Sequence, residues 1–279
     1  LVGSIRDKKR LDEVFETYHP TVVFHAAAHK HVPLMEVSPA EAVKNNVLGT
    51  KNLLVSASEH EVERFVQLST DKAVNPTSVM GCTKRICEML IQTFAGNTDM
   101  KCVAVRFGNV LGSHGSVIPL FEAQIKKGGP VTLTDPNIER YFMTIPEAAQ
   151  LVLQAGALAE GGSIYVLDMG EPVKIMDLAK QLIRFYGYEP GVNMEIKIVG
   201  LRPGEKLYEE LMMDEEQGKM RRTEHNKIFV ASPRDIDLAV FYQQLQDLAA
   251  AAQHNDEGVV DQLEKMIPTF TPTRKNLKV

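Results

Sequence analysis

The sequence is poor in cysteine, and its three cysteines, Cys82, Cys87 and Cys102, include no pair spaced as CxxC. So few thiols suit a reducing compartment, which predicts a cytoplasmic protein with structural cysteines. The chain also lacks an apolar run as long as a membrane span, and no signal peptide opens it. Because it begins at Leu1 and not at a methionine, we expect a piece of a longer protein.

A basic face is absent as well. The 31 lysines and arginines are outnumbered by 36 aspartates and glutamates, giving a net charge of −5, which argues against a nucleic-acid partner. The 44% of hydrophobic and 24% of charged residues are ordinary for a globular protein. The 279 residues suffice for one large domain, or for a domain and a small lobe.

The glycine-rich phosphate loop of a dinucleotide fold, G-x-G-x-x-G after a first strand, is also missing. The opening LVGSIRDKKRLDEVFETY has the pattern of a strand end followed by a helix. We therefore expect the first βαβ unit to lie upstream of Leu1. The chain alone should then bind a dinucleotide weakly and expose an apolar edge and face of its sheet.

What is present is an alternation of strand and helix patterns. Before residue 111 the patterns predict strands at 21–28, 64–70 and 101–110 and helices at 38–60 and 78–96. After it they predict helices at 145–160, 174–187, 233–253 and 256–270 and strands at 163–170, 194–200 and 226–231. The alternation predicts a Rossmann-like, doubly wound parallel sheet with its first βαβ unit missing. We assign residues 1–170 to this core and 171–279 to a smaller, interwoven C-terminal α/β lobe.

The residues of most chemical interest lie in STDKAVNPTSVMGCTKR, residues 69–85. Asp71 and Lys72 directly follow a predicted strand, at the carboxyl edge where open α/β sheets bind ligands. Lys84 lies one helical turn after Met80, so the two side chains face the same way. An adjacent acid and base suit proton transfer, although in isolation such a dipeptide is more often a surface turn.

Several blocks carry a family resemblance when they are taken in order. They are VFHAAAHKHVPLMEVSP, NNVLGTKNLL, STDKAVNPTSVMGCTKR, RFGNVLGSHGSVIPLF, ERYFMTIPEAAQLVLQA and GLRPGEKLYEELM. They resemble the extended short-chain dehydrogenase/reductase superfamily, and within it the UDP-N-acetylglucosamine 4,6-dehydratases of bacterial polysaccharide biosynthesis. Met80 stands where the superfamily has the tyrosine of Tyr-x-x-x-Lys, as in the long, membrane-anchored members of that branch.

The resemblance implies an NAD-dependent lyase that oxidises sugar C4, removes water across C5 and C6, and returns the hydride to C6. By the same resemblance, Asp71 protonates the leaving C6 hydroxyl, Lys72 is the base at C5, and Lys84 holds the nicotinamide ribose. A neutral Lys72 would need a lowered pKa, from burial or from Lys84. Met80 cannot move a proton, so the acceptor of the O4 proton stays open: Thr70 with Asp71 or Lys72, or a water relay.

The other implied contacts surround these residues. The cofactor side comprises His25, Ala26, Ala27, Ser69 and Asp7. The sugar side comprises Lys30 and His31. The UDP end comprises Asn109, Ser116, Val117, Pro119, Arg140, Arg202 and Glu205. Asn46 is expected to brace the sheet and the active-site loop through side-chain hydrogen bonds, rather than to touch the substrate.

The histidines of HAAAHKH offer a rival reading, because closely spaced histidines can bind zinc. We predict no metal, since the small alanines after His25 suit close approach of a cofactor to the backbone. For the whole chain, a UDP-sugar 4-epimerase and a non-catalytic UDP-sugar-binding fragment remain the alternative functions. The prediction also includes assembly into a homo-oligomer, and membrane anchoring of the full-length protein through an upstream segment.

Overall fold

The computed structural model describes residues 1–113, 115–213, 216, 220–231 and 235–273, which form a mixed α/β protein. The strands are β1 (Val22–His25), β2 (Arg64–Leu68), β3 (Lys101–Arg106), β4 (Asn109–Val110), β5 (Val131–Leu133), β6 (Glu139–Arg140), β7 (Phe142–Met143), β8 (Ile164–Leu167), β9 (Val173–Lys174), β10 (Ile196–Ile198), β11 (Arg221–Arg222) and β12 (Ile228–Ala231). The helices are α1 (Lys8–Tyr18), α2 (Val32–Val37), α3 (Pro39–Ala42), α4 (Gly49–Glu59), α5 (Val79–Ala95), α6 (Val117–Lys126), α7 (Ile145–Ala157), α8 (Ile175–Phe185), α9 (Leu238–Gln253) and α10 (Val259–Met266).

Within the described residues, the main sheet has six strands in the order β1, β2, β3, β8, β12, β11. The first four run parallel, and β12 and β11 extend the sheet in antiparallel fashion. The strands β2, β3 and β8 are largely buried, as expected of strands covered by helices on both faces. The predicted Rossmann-like α/β fold is confirmed.

The strand β1 lies at one edge of this sheet as far as the chain is described. Its side chains Val22 and Phe24 are 39% and 43% exposed. Apolar side chains are therefore accessible at the edge where the sequence predicts them.

The helix predicted at 38–60 forms with one irregularity. A π-helical segment, Val43–Leu48, joins α3 to α4, and such segments are frequent at functional sites. Asn46 lies in this segment, where its Oδ1 accepts a hydrogen bond from the His29 backbone N–H (2.7 Å) and its Nδ2 donates to the His29 carbonyl (3.0 Å) and to Thr83 Oγ1 (3.0 Å). The bonds tie Asn46 to the loop after β1 and to α5, so the predicted bracing of that loop is seen, and bracing of the sheet stays a prediction.

The structure corrects two predicted strands. The strand predicted at 101–110 breaks after Arg106, and residues 109–110 pair with β7 in a separate small sheet. Gly108 sits in this break, where a Cβ atom would lie 2.8 Å from Tyr141 Cβ, so a side chain could not be accommodated there without movement. The strand end predicted before α1 is also wrong: the described residues 1–7 contain no strand, and Asp7 instead donates its backbone N–H to the Ser4 carbonyl and caps α1.

Three apolar clusters fill the interior of the part of the chain that the structure describes. One packs α1 to α5, α9 and α10 against one face of the main sheet, and a second packs α7 against the other face. A third joins α6, β5, α8 and the region of Met194 into a lobe beside the sheet. The chain therefore crosses between core and lobe more than once, and the division at residue 170 stays a prediction.

The C-terminal segment returns to the core after the lobe. The predicted helix at 233–253 is seen from Leu238, after an Asp237 cap, while residues 233 and 234 lie outside the described residues. Beyond α10, Thr271 N donates to the Pro76 carbonyl and Gly204 N donates to Thr273 Oγ1. None of the helices in the described part of the chain is both long and apolar enough to cross a membrane.

Candidate functional site

A cavity of about 500 Å³ opens at the carboxyl ends of β1, β2 and β3 and extends to the lobe. Its size and position are typical of ligand sites in open α/β folds. The predicted residues that line it are Ala26, Lys30, His31, Ser69, Thr70, Lys72, Met80, Lys84, Asn109, Ser116, Val117, Arg140, Arg202 and Glu205. The predicted residues that do not line it are Asp7, His25, Ala27, Asp71 and Pro119.

The Asp71–Lys72 pair occupies a 3-10 turn, Asp71–Ala73, that follows β2 and is capped by Thr70. The Asp71 backbone N–H donates to the Phe107 carbonyl (3.0 Å), which fixes the turn against the end of β3. Asp71 is fully buried, and its Oδ1 accepts hydrogen bonds from Thr70 Oγ1 (2.8 Å) and Lys72 Nζ (2.9 Å). Its Oδ2 has no hydrogen-bond partner in the described chain and lies beside Gly108, which lines the cavity.

The charge of Lys72 differs from the prediction. Burial lowers the pKa of Lys72, but the carboxylates of Asp71 and Glu209 outweigh that effect and raise the pKa above its ordinary value. The side chain is 22% exposed and its Nζ lies 3.5 Å from Glu209 Oε1. The expected lowering of the Lys72 pKa is therefore wrong for this state of the site, because two carboxylates stabilise the ammonium ion.

The second lysine, Lys84, lies on the cavity side of α5 together with Met80. Lys84 is 7% exposed and its Nζ donates to the Leu68 carbonyl at the end of β2. Burial lowers the pKa of Lys84. The spacing argument is confirmed: Met80 and Lys84 face the same cavity, one turn apart.

His25 turns away from the cavity. Its side chain is 2% exposed, and its Nε2 lies 2.9 Å from Thr50 Oγ1. Burial, with a smaller effect from Lys84, lowers the pKa of His25 to about 3, so the ring is neutral. Any contact of His25 with a cofactor would involve its backbone, beside Ala26 on the cavity wall.

The far end of the cavity carries the arginines predicted to bind a diphosphate. Arg140 donates to the backbone carbonyls of Lys206 (2.8 Å) and Leu207 (3.1 Å), and lies 3.6 Å from Glu205. Glu205 Oε2 in turn accepts the Arg202 backbone N–H (3.1 Å). The guanidinium of Arg140 is thus already engaged in holding the 202–207 loop, whereas the exposed Arg202 borders the cavity.

Two predicted contacts lie apart from the cavity. Pro119 is an exposed residue of α6, while its neighbours Ser116 and Val117 reach the cavity wall from the start of that helix. Asp7 caps α1 by accepting the Arg10 backbone N–H (3.1 Å) and is exposed. Contacts of Pro119 and Asp7 with a ligand stay predictions.

A network of buried charged side chains, which the sequence did not reveal, contacts the cavity wall at Ser69. Glu88 accepts hydrogen bonds from Ser69 Oγ (2.7 Å), Arg85 Nη1 (2.8 Å) and Arg106 Nη2 (2.8 Å). Arg106 also donates to Glu216 Oε2 (2.7 Å). The network ties α5 and β3 to Ser69 at the cavity wall, and its one local sequence signal is the Arg85–Glu88 spacing of three on a buried helix.

Glu209 is a second residue that sequence reasoning missed. It lines the cavity within the block GLRPGEKLYEELM, four residues after Glu205. Its Oε1 lies 3.5 Å from Lys72 Nζ and 3.8 Å from Arg140 Nε. Nothing in the local pattern connects it with Lys72, because the two residues are far apart in the chain.

The fold, with an acid–base pair and a buried lysine at the carboxyl edge of a parallel sheet, defines a Rossmann-like protein of the short-chain dehydrogenase/reductase type. Residues 1–233 match the sequence profile of the family described as "Polysaccharide biosynthesis protein". The chain belongs to this family.

Two proteins are similar to this chain in sequence. The capsular polysaccharide biosynthesis protein CapD of Staphylococcus aureus is 62% identical over 213 residues, which are 76% of this chain and 35% of CapD. This chain thus spans about a third of that relative. A UDP-glucose 4-epimerase of Rickettsia canadensis is 35% identical over 286 residues, covering 99% of this chain and 82% of the epimerase.

Solved structures agree with the fold. Pen from Bacillus thuringiensis is 38% identical with a TM-score of 0.77, over 85% of this chain and 72% of Pen. The UDP-glucose 4-epimerase of Thermus thermophilus in complex with NAD is 25% identical with a TM-score of 0.66, over 73% of this chain and 72% of the epimerase.

Proposed function

We propose that this chain carries the catalytic site of an NAD-dependent 4,6-dehydratase that converts UDP-N-acetylglucosamine to a UDP-4-keto-6-deoxy sugar. The observation that carries the proposal is the contact between Lys72 and Asp71, 2.9 Å apart, at a cavity that also exposes Lys84. Elimination beside a carbonyl needs a proton donor and a proton acceptor close together. The relationship to a capsular polysaccharide biosynthesis protein supports a sugar product destined for a surface polysaccharide.

The residues around Lys84 fit the nicotinamide end of NAD. The Lys84 ammonium group has three donors, of which the Leu68 carbonyl accepts one in the described part of the chain, so the others suit ribose hydroxyls. Ala26 and Ala28 line the adjacent wall with short side chains, which allows a flat ring to approach the backbone. When bound, NAD would supply a hydride acceptor for oxidation at sugar C4 and a hydride donor for reduction at C6. The Thermus neighbour, solved with NAD, supports this choice of cofactor.

The chain's own residues would handle the protons. Thr70 Oγ1 lines the cavity and already donates to Asp71 Oδ1 (2.8 Å), so a proton from the sugar O4 could pass through Thr70 to that carboxylate. Asp71 and Lys72 then provide the donor and the acceptor for loss of water. Lys72 reaches the cavity directly, whereas Asp71 lies just behind Thr70 and Gly108.

The UDP end of the substrate would lie toward the lobe. The Arg202 side chain suits a diphosphate, because a guanidinium donates parallel hydrogen bonds to phosphate oxygens. Arg140 would act mainly by holding the 202–207 loop in place, since its nitrogens already bond to that backbone. Sugar-side contacts by Lys30 and His31, assembly into a homo-oligomer and a cytoplasmic location stay predictions.

A UDP-sugar 4-epimerase is the second candidate, supported by the Rickettsia relative that covers most of both chains. An epimerase returns the hydride to C4 and needs no donor for a leaving hydroxyl. The Asp71–Lys72 pair is therefore the feature that favours dehydration.

The test is to incubate the protein with UDP-N-acetylglucosamine and NAD and to weigh the product. Loss of one water from the sugar supports the dehydratase. A mass-neutral isomer supports the epimerase, and an unchanged substrate with no extractable NAD supports a non-catalytic binding protein.

A further inference from the structure

The 202–207 loop, which carries Arg202 to the cavity, is held at its middle by two threonine hydroxyls. Thr77 Oγ1 donates a hydrogen bond to the Gly204 carbonyl (3.0 Å), and the Gly204 N–H donates to Thr273 Oγ1 (3.2 Å). The N–H and the C=O of Gly204 thus each have a hydroxyl partner. One partner comes from the segment before α5 and the other from the C-terminal end of the described chain.

The backbone of Gly204 is packed against the start of α5. Gly204 is buried with a φ of +75°, a conformation that favours glycine, and a Cβ atom there would lie 2.8 Å from Ser78 Cβ. A buried backbone N–H needs a hydrogen-bond acceptor. Among the described residues, Thr273 Oγ1 provides that acceptor. Removing the Thr273 hydroxyl therefore takes a partner from a tightly packed point of the loop.

Residues 270–273 form a short C-terminal strap that brings Thr273 to the loop. Phe270 is 4% exposed and belongs to the apolar cluster that α5, α9 and α10 share. The Thr271 N–H then donates to the Pro76 carbonyl (3.0 Å). The strap is thus fixed at two points before it reaches the loop, and it lies outside the part of the chain that matches the family profile.

We propose, resting on the UDP site of the proposed dehydratase, that Thr273 is a positioning residue that holds the 202–207 loop where Arg202 binds the diphosphate. Arg202 lies two residues before Gly204. Its N–H donates to Glu205 Oε2 (3.1 Å) and its carbonyl accepts the Glu205 N–H (3.1 Å), so the whole turn moves with Gly204. Thr273 is not among the described residues that line the cavity, so it acts on the substrate through the loop.

The first test needs neither ligand nor turnover, because it follows exchange of the Gly204 amide with solvent by NMR. Thr273→Val keeps the shape of the side chain and removes the hydroxyl, so this amide should exchange about threefold to tenfold faster, the effect of one lost hydrogen bond. Thr273→Ser should restore the slow exchange. Thr271→Val is the matched control, because Thr271 bonds to Pro76 through its backbone N–H, which valine keeps. Equal Gly204 exchange in Thr273→Val and Thr271→Val would overturn the proposal.

The second test compares binding with turnover. Calorimetric titration should show UDP affinity about threefold to tenfold lower in Thr273→Val, again the effect of one hydrogen bond. KM for UDP-N-acetylglucosamine should rise by the same factor, with kcat unchanged, because the Asp71–Lys72 turn keeps its contacts. Thr273→Ser and Thr271→Val should both behave as wild type. A fall in kcat at unchanged KM would overturn the proposal.

A double variant tests whether Thr273 acts through Arg202. In the background of Arg202→Ala, Thr273→Val should cause no further loss of UDP affinity, because the side chain that the loop positions is already gone. A further loss as large as that of Thr273→Val alone would show that Thr273 acts by another route, and would overturn the proposal.

The proposed function and the positioning role can fail separately. If the wild-type protein binds no UDP, the proposed function fails, and the exchange of the Gly204 amide still decides whether Thr273 holds the loop. If the wild-type protein binds UDP, and Thr273→Val binds it as tightly as Thr271→Val does, only the positioning role fails.

Discussion

Replacing Glu88 with glutamine perturbs the buried network that supports Ser69 at the cavity wall. The carboxylate is fully buried and accepts hydrogen bonds from Ser69, Arg85 and Arg106. Burial alone would raise the pKa of Glu88, but the charges of Arg106 and Arg85 bring it from an ordinary 4.5 to about 2. Glutamine keeps the shape of the side chain and removes the negative charge that both arginines share.

The magnitude follows from this pKa. At about 1.4 kcal/mol per pH unit, a fall from 4.5 to about 2 corresponds to roughly 3 kcal/mol of folding stability at neutral pH. Removing one member of a buried ion pair typically costs about 3–5 kcal/mol, because the remaining charge is left uncompensated. Glu216 still pairs with Arg106, so we expect the lower end, about 3 kcal/mol less free energy of unfolding for Glu88→Gln.

Urea denaturation at several pH values measures this difference. Glu13→Gln is the matched control, because Arg10–Glu13 has the same spacing of three as Arg85–Glu88 but lies on the surface, with Glu13 50% exposed. The control should lose less than about 1 kcal/mol. Since the folded-state pKa of Glu88 is lowered, its contribution is present above the unfolded value and is lost as pH falls toward 2.

The gap between wild type and Glu88→Gln should therefore be constant near neutral pH and shrink in acid. A gap no larger than that of the surface control, or one that widens as pH falls, would refute the reasoning.

The other predictions concern the cavity. Asp71→Asn and Lys72→Ala should each cut turnover by on the order of a hundredfold or more while leaving UDP affinity nearly unchanged. Near-normal turnover in both variants would indicate that the pair is an ordinary surface turn without a catalytic role. Arg202→Ala should weaken UDP binding by about tenfold, the loss of one charge-assisted hydrogen bond, with no change in the free energy of unfolding. Arg140→Ala should lower both UDP affinity and the free energy of unfolding, because Arg140 also bonds to the backbone of Lys206 and Leu207. Calorimetric titration with UDP measures the affinity of each variant, and urea denaturation measures its stability. Equal stabilities of Arg202→Ala and Arg140→Ala would contradict the structural role of Arg140.

The sequence predicted those parts of the site whose residues lie close together in the chain. Asp71 and Lys72 are adjacent and follow a strand, so the fold class alone brings them to the carboxyl edge of the sheet. Met80 and Lys84 are one turn apart on a helix, so helical geometry alone places them on one face. Such relations survive in any correct fold of the sequence.

The parts that escaped prediction depend on residues brought together by the tertiary fold. The Lys72 pKa was expected to fall, and it rises because the adjacent Asp71 and also Glu209, which is distant in the sequence, both stabilise the ammonium ion. The partnership of Arg106 with Glu88 and Glu216 likewise joins three separate segments. The break after Arg106 reflects the close approach of Tyr141 to Gly108, which no local periodicity encodes.

The most direct test of the dehydratase claim follows a deuterium atom placed on C4 of UDP-N-acetylglucosamine. The active protein is incubated with this substrate and NAD, and the position of the label in the product is read by NMR. A 4,6-dehydratase moves the label from C4 to C6 of a sugar that has lost water, which is the result we predict. Recovery of the label on C4 of a mass-neutral isomer would contradict the assignment and establish an epimerase instead.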